Sequence, residues 1–135
     1  MTPDPTEEAS RWLSQARQDL ADASYNAEGG KHNLACFLCQ QAAEKAAKAF
    51  LYARGMQQVW GHSVGELLGD VGDLEPALHS LQQVGRPLDQ YYLPTRYPNA
   101  LPGGTPSEAY GPEDSERALR LATLIMTAIG GLIGS

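Results

Sequence analysis

The run ACFLCQQAAEKAAKAF, from Ala35 to Phe50, restricts the fold more than any other part of the chain, because small apolar residues fill a wide arc of one helix. The arc contains Ala35, Cys36, Leu38, Cys39, Ala42, Ala43, Ala46, Ala47, Ala49 and Phe50. A helix with so broad an apolar face is normally central in a bundle or packs against another subunit. The pattern predicts a central helix over about residues 31–54. It also predicts a homodimer, because the arc is wider than one small bundle is expected to cover.

Capping signals predict a helix on each side of this run. Asp4, Pro5 and Glu7 provide an N-cap, a first-turn proline and a capping-box glutamate, and Gly29-Gly30 ends that first helix. Its apolar stripe is Leu13, Ala16, Leu20, Ala23 and Ala27. Downstream, Ser63 and Glu66 form a capping box that opens a short third helix.

Two more helices are predicted towards the end of the chain. A fourth helix is expected to start near Asp73, to carry Leu74, Leu78 and Leu81, and to be kinked by Gly85 and Pro87. Pro112 opens the last helix. Its core stripe is Leu121, Ile125, Ile129 and Leu132.

These elements predict an all-α fold, an up-and-down bundle of about five helices with a long ordered Pro/Gly-rich loop before the last one. A chain of 135 residues is the size of one domain, so we expect a single domain over residues 1–135, with residues 1–6 flexible.

Charge and hydropathy narrow the classes of partner. The formal net charge of −6 argues against a broad grip on nucleic acid, which needs a basic face, although it leaves room for a small basic pocket. The N-terminus is acidic where a signal peptide would be basic and then apolar, and the segment LATLIMTAIGGLIG is too short to span a membrane. We therefore expect a cytoplasmic protein without membrane association.

Motifs for cofactors and metals are missing from the sequence. The glycines follow neither phosphate-loop pattern, the histidines lack metal-ligand spacing, and no serine or cysteine has a nucleophile-elbow context. Cys36 and Cys39 form a C-x-x-C pair inside a helical pattern, which favours buried thiols over a redox or zinc site. We expect neither a cofactor nor a metal.

The remaining candidates are polar residues on the central helix and one histidine. Gln41, Glu44, Lys45 and Lys48 share a face that is either a solvated stripe with a Glu44–Lys48 pair or part of a binding site. His62 precedes the third helix, where the helix dipole favours a neutral imidazole. With a nearby arginine it would promote metal-independent RNA cleavage; otherwise it packs beside Trp60 and bonds to the backbone.

The segment DQYYLPTRYPNALP, from Asp89 to Pro102, supports two interpretations. As a strut, Arg96 bridges to Asp89 or Glu44, Pro94 and Pro98 fix the backbone, and Tyr91 and Tyr97 pack on the bundle. As a site wall, Arg96 projects towards Gln41, Lys45 and Lys48 and holds a phosphate while a base stacks on Tyr92 or Tyr97.

Four stretches together resemble the HEPN domain family (higher eukaryotes and prokaryotes nucleotide-binding). They are WLSQARQDLADA, CFLCQQAAEKAAKAFLYARG, WGHSVGELL and LDQYYLPTRYPNA, which occur in the family's order and extend the resemblance from about Arg11 to Ile133. The resemblance implies a helical bundle that dimerises through its long helices. It also implies nucleotide binding in some members and pairing with a minimal nucleotidyltransferase, often as a toxin–antitoxin module.

Related members are RNA-cleaving toxins that use an arginine, a polar residue after it and a histidine four to six residues beyond the arginine. In this chain the resemblance assigns those roles to Arg54 and His62. Seven residues separate the two, and Gly55 stands at the usually polar position.

Three functional classes follow. The favoured one is a non-catalytic HEPN binding module that engages a nucleotide, a minimal nucleotidyltransferase, or both. The alternatives are a ribonuclease toxin that uses Arg54 and His62, and a purely structural dimerisation domain.

Overall fold

Helices form the regular structure of the computed structural model, which describes residues 4–133. The α-helices of that span are α1 (Pro5–Glu28), α2 (His32–Ala53), α3 (Val64–Leu74), α4 (Leu81–Gly85), α5 (Pro106–Ala109) and α6 (Pro112–Ile133). Short 3-10 helices lie at Pro76–Leu78, Arg86–Tyr91 and Pro98–Ala100. Since the described residues contain no β-strand, the predicted all-α class is confirmed.

The first helix begins and ends where its capping residues predict. The Asp4 carboxylate accepts hydrogen bonds from the backbone N–H groups of Thr6 (2.8 Å) and Glu7 (3.4 Å), and Gly29 is the C-cap. Gly30 then turns the chain into α2 with a φ of 79°, a conformation that favours glycine. Of the segment predicted to be flexible, residues 4–6 form this cap and first turn, and residues 1–3 lie outside the described residues.

The central position predicted for α2 is confirmed. α1, α3, α5, α6 and the 3-10 helix Arg86–Tyr91 all pack against it, and every alanine from Ala35 to Ala49 is fully buried. The alanine-rich arc is therefore covered within one chain. The surface argument for a homodimer is wrong for that reason, and the homodimer itself stays a prediction.

The segment between Asp73 and Tyr91 differs from the single kinked helix that the sequence predicts. α3 continues through Asp73 to Leu74, and Glu75 then adopts an extended conformation (φ −136°, ψ 94°). Pro76 causes this break, because its ring disfavours a helical conformation in the residue before it. The chain resumes as the short α4 and passes directly into the 3-10 helix Arg86–Tyr91.

The last helix, α6, has its predicted start and most of its predicted stripe. Ile125 and Ile129 are fully buried, whereas Leu132 is 51% exposed. Leu132 lies in the last turn of α6, where it lines an open groove together with residues of α1. None of the helices in residues 4–133 has the length and hydropathy that a membrane span requires.

Candidate functional site

The segment from Tyr91 to Tyr97 is fixed to the bundle by two buried side chains. Tyr91 is 2% exposed and packs edge-on against Tyr110, with 5.9 Å between ring centroids. Thr95 is fully buried, and its hydroxyl donates to the Tyr91 carbonyl at 2.6 Å. The Asn33 side chain of α2 donates to the Thr95 carbonyl at 3.1 Å. The segment is therefore anchored to the bundle, and Tyr91 packs there as the strut interpretation predicts.

Tyr97 does not pack on the bundle as predicted. Tyr97 and Leu93 are each 48% exposed. The Tyr97 backbone N–H donates to the Leu93 carbonyl at 3.1 Å, so the chain makes a helical turn here. That turn directs Thr95 into the core and places Leu93 and Tyr97 together on the outside.

The Arg96 guanidinium lies among aromatic rings. Its Cζ atom is 4.1 Å from the ring centroid of Phe37, 5.0 Å from that of Tyr92 and 5.1 Å from that of Tyr97. Its Nε and Nη2 atoms donate to the Tyr92 carbonyl at 2.9 and 2.7 Å. Each cation–π contact of this kind contributes about 0.5–1 kcal/mol at a partly exposed site.

Arg96 forms no salt bridge within residues 4–133, so the predicted bridge to Asp89 or Glu44 is wrong. Asp89 instead accepts hydrogen bonds at the start of α3: from the N–H groups of Val64 (2.6 Å) and Gly65 (3.1 Å) and from the Ser63 hydroxyl (2.9 Å). An aspartate at this position satisfies N–H groups that have no partner within the helix.

His62 is held by a carboxylate on one side and a ring on the other. Its Nδ1 atom lies 3.3 Å from both carboxylate oxygens of Glu44. Its ring stacks on Tyr92 with centroids 4.8 Å apart and planes at 18°, and not on Trp60, which is 78% exposed. Because a carboxylate only accepts, Nδ1 must donate, which leaves Nε2 as the acceptor in the neutral ring. The His62 side chain is 58% exposed, so this imidazole remains open to a ligand.

Glu44 belongs to a buried polar network, and a solvated stripe is therefore the wrong interpretation of this face of α2. Its carboxylate accepts from the Lys48 ammonium at 3.1 Å and from the Gln40 amide at 3.2 Å, and the side chains of Glu44 and Lys48 are 5% and 7% exposed. Gln40 also donates to the His62 carbonyl at 2.9 Å. The network joins the middle of α2 to the loop that carries His62.

The three other predicted phosphate ligands do not meet Arg96. Lys45 pairs with Asp19 of α1 at 2.6 Å, and Lys48 lies 5.4 Å from the Trp12 ring, also on α1. The Gln41 amide donates to Gln40 at 2.8 Å. Carboxylates thus neutralise both lysines, and the expected concavity with three cations does not form.

Arg54 and His62 are not brought into contact either. Arg54 donates to the Leu74 carbonyl at 3.2 Å and to the Glu75 carboxylate at 2.9 Å, and its Cζ atom is 4.7 Å from the Phe50 ring. His62 lies against other residues, Glu44 and Tyr92.

The structure instead assembles a cluster that we call the Arg96 cluster: Phe37, His62, Tyr92, Arg96 and Tyr97. It combines one guanidinium, one exposed imidazole and an exposed aromatic ring, so it presents both hydrogen-bond donors and a stacking surface. The sequence indicated Tyr92, Arg96, Tyr97 and His62 but not the role of Phe37. A signal for Phe37 exists, because it lies one helical turn before Gln41 on the same face of α2.

The two thiols are buried, as predicted. Burial raises the pKa of Cys36 and that of Cys39 to about 12, with smaller contributions from Asp114 at Cys36 and from Cys36 at Cys39. Within the part of the chain that the structure describes, no three His, Cys, Asp or Glu side chains are grouped so that they could hold a metal ion.

Comparison with known proteins places this geometry in a family. The sequence of residues 9–132 matches the family model of the HEPN domain. The crystal structure of TT1696 from Thermus thermophilus is 41% identical in sequence, covers 92% of this chain and 97% of its own, and has a TM-score of 0.79.

Two further crystal structures are similar. ST0689, an archaeal HEPN homologue, is 37% identical over 93% of this chain and 98% of its own, with a TM-score of 0.77. An HEPN domain protein from Thermotoga maritima, tm0613, is 34% identical over 90% of this chain and 96% of its own, with a TM-score of 0.70. No curated protein matches the chain.

Proposed function

Because the chain belongs to the HEPN domain family, we propose that it is a non-catalytic binding module that takes a nucleotide on the Arg96 cluster. The observation that carries this proposal is the environment of Arg96: a guanidinium held by the Tyr92 carbonyl among three aromatic rings, without a carboxylate partner in residues 4–133.

The chemistry of the cluster fits both halves of a nucleotide. An arginine without a carboxylate partner binds phosphate through charge-assisted hydrogen bonds. An exposed aromatic ring stacks on a base, a contact that contributes about 1–3 kcal/mol. Tyr97 provides such a ring beside Arg96, and the Nε2 atom of His62 provides an acceptor for a ribose hydroxyl.

The segment that carries Arg96 is held in place by contacts within the protein. The hydrogen bonds to Tyr92, the buried Thr95 and the Asn33 contact hold the segment before a ligand arrives. A site that is already ordered loses less conformational entropy on binding, which favours affinity. A positive group of this size on a chain with a net charge of −6 suits a small anion and not an extended nucleic-acid track.

Calorimetry with ATP and GTP tests the proposal. We expect binding by wild type, and a loss of affinity of about tenfold or more in Arg96→Ala, because a charge-assisted hydrogen bond contributes about 1.5–3 kcal/mol. Arg120→Ala, which removes an exposed arginine on α6, is the matched control and should bind as wild type does. Binding that Arg96→Ala leaves unchanged, or a failure of every nucleotide to bind, mono- or triphosphate, contradicts the proposal.

The ribonuclease alternative needs Arg54 and His62 on one phosphodiester, and the two side chains contact different residues. The direct test is RNA cleavage in EDTA by wild type and by His62→Ala. We expect no cleavage by either protein. Cleavage that disappears in His62→Ala would make the protein an enzyme and would overturn the non-catalytic function.

A further inference from the structure

The N–H groups of Arg96 that do not already donate to the Tyr92 carbonyl determine which kind of anion it can bind. A guanidinium carries five N–H groups, and in Arg96 the Nε edge is occupied, because Nε and Nη2 both donate to the Tyr92 carbonyl. The opposite edge, formed by Nη1 and the second N–H of Nη2, keeps the fork that binds two oxygens of one phosphate or carboxylate. Arg96 therefore offers one bidentate site for one oxyanion.

The two lysines predicted to join this site do not enlarge it. Lys45 is paired with Asp19 at 2.6 Å and Lys48 with Glu44 at 3.1 Å, so each ammonium is already neutralised. His62 directs Nδ1 at the same Glu44 carboxylate. Both lysines are paired with carboxylates and do not meet Arg96, so they supply no positive charge to a second or a third phosphate.

We propose that the ligand of the Arg96 cluster carries a single phosphate next to a flat base, as a nucleoside monophosphate does. The phosphate binds the free edge of Arg96, and the base stacks on the exposed ring of Tyr97, whose centroid is 5.1 Å from the guanidinium carbon. This inference rests on the proposed nucleotide-binding function and specifies its ligand.

The test compares ligands that differ in one part at a time. Calorimetry at low salt in EDTA is carried out with AMP, ATP, adenosine and inorganic phosphate, and GMP replaces AMP in a parallel series. We expect AMP or GMP to bind about tenfold or more tightly than ATP, adenosine or phosphate alone, because only the monophosphate uses both the fork and the ring without excess charge.

Two variants assign the parts of the ligand to the parts of the site. Arg96→Lys keeps the positive charge but loses the two parallel N–H donors of the guanidinium. It should weaken the binding of AMP about tenfold and leave the binding of adenosine unchanged. Tyr97→Ala removes an exposed ring and should weaken the binding of AMP and the binding of adenosine by about the same factor, about tenfold. Tyr97→Ala also keeps the test informative if Arg96→Lys fails to fold, and melting temperatures of both variants show whether they fold.

The outcomes separate this inference from the proposed function. Equal or tighter binding of ATP overturns the single-phosphate ligand and leaves nucleotide binding in place. Equal binding of AMP and inorganic phosphate overturns the stacking contact. A failure of every nucleotide to bind overturns the proposed function together with the inference.

Discussion

Glu44 and Lys48 show at the scale of single residues how the polar face of α2 is used. Both side chains are more than nine-tenths buried and pair at 3.1 Å, although their i,i+4 spacing is typical of an exposed helix surface. Burying two charges costs several kcal/mol in desolvation, which their mutual attraction offsets only when both partners are present. The pair fixes the carboxylate that holds His62.

Replacing only one residue of the Glu44–Lys48 pair should therefore lower the free energy of unfolding much more than replacing both. We expect Lys48→Met to lower the free energy of unfolding by about 3 kcal/mol, and the double variant Glu44→Gln/Lys48→Met to lie within about 1 kcal/mol of wild type. Urea denaturation measures both. Arg11→Ala is the control, since Arg11 is 79% exposed in its pair with Glu8 and should change stability by less than about 0.5 kcal/mol. Additive losses in the double variant would show that the two charges do not act as a pair.

The buried thiols give the protein a defined response to alkaline pH. Burial raises the pKa of both Cys36 and Cys39 from 9.0 to about 12, so the unfolded chain releases these protons at lower pH than the native protein does. The contribution of these thiols to stability is therefore fully present below about pH 9 and is lost as the pH rises from there towards 12, by at most about 1.4 kcal/mol per pH unit for each thiol. Tyr91 and Tyr110, whose pKa burial also raises, add to the same trend.

Urea denaturation at pH 8 and pH 10.5 measures this loss of stability. In Cys36→Ala/Cys39→Ala we expect a smaller loss between the two pH values, even though the variant starts from lower stability because of its two cavities. An identical pH dependence in wild type and variant would contradict the assignment to the thiols.

At the scale of elements, the sequence predicts those helices that its local signals specify. Asp4 and Ser63 cap α1 and α3 as their spacing to the following N–H groups indicates, and the alanine arc places α2 in the centre. Local signals fail between Asp73 and Tyr91, where Pro76 has more influence on the backbone than the leucine spacing does.

The same distinction applies to the candidate site. The sequence indicates which aromatic and cationic residues of the segment Asp89 to Pro102 could bind a ligand. It does not indicate which residues contact Arg96. Phe37 lies on α2, far from Arg96 in sequence, and the competing acceptors Asp89 and Glu44 are occupied by α3 and by Lys48. Contacts between residues so far apart in sequence depend on tertiary packing, which the periodicity of apolar residues does not predict.

The contact of Asp89 with α3 leads to a prediction about that helix. Asp89→Ala leaves two backbone N–H groups and the Ser63 hydroxyl without their acceptor, so we expect a loss of about 2 kcal/mol in the free energy of unfolding. Hydrogen exchange should become faster at the Val64 and Gly65 amides. Asp70→Ala, at an exposed position within α3, should change neither quantity. Unchanged exchange at Val64 in Asp89→Ala would show that Asp89 does not stabilise the start of α3.

At the scale of the whole molecule, the homodimer and the minimal nucleotidyltransferase partner stay predictions that the family resemblance implies. Since the α2 arc is covered within one chain, a dimer must use another face. α6 offers one, because Leu124 and Leu132 are 52% and 51% exposed on a long helix. We expect sedimentation at micromolar concentration to give twice the 14.5 kDa mass of the chain.

Substitution distinguishes this face from the ligand site. Leu124→Asp should shift the protein to the 14.5 kDa species, whereas Leu93→Asp, beside the Arg96 cluster, should leave the dimer intact. A wild type that sediments only as a monomer would contradict the dimer, and the proposed ligand site does not depend on it.

The proposed function requires that the Arg96 cluster, and not a groove elsewhere on the molecule, binds the ligand. The described residues line, among others, a groove of about 690 Å³ beside Trp12 and Lys45 and a groove of about 730 Å³ between α1 and the ends of α2 and α6. Chemical-shift mapping by NMR during titration with AMP tests the location directly. We predict the largest shifts at the backbone amides of residues 92–97 and at the rings of Phe37, His62 and Tyr97. Shifts centred on Trp12 or Leu132, or no shifts at millimolar AMP, would contradict the claim.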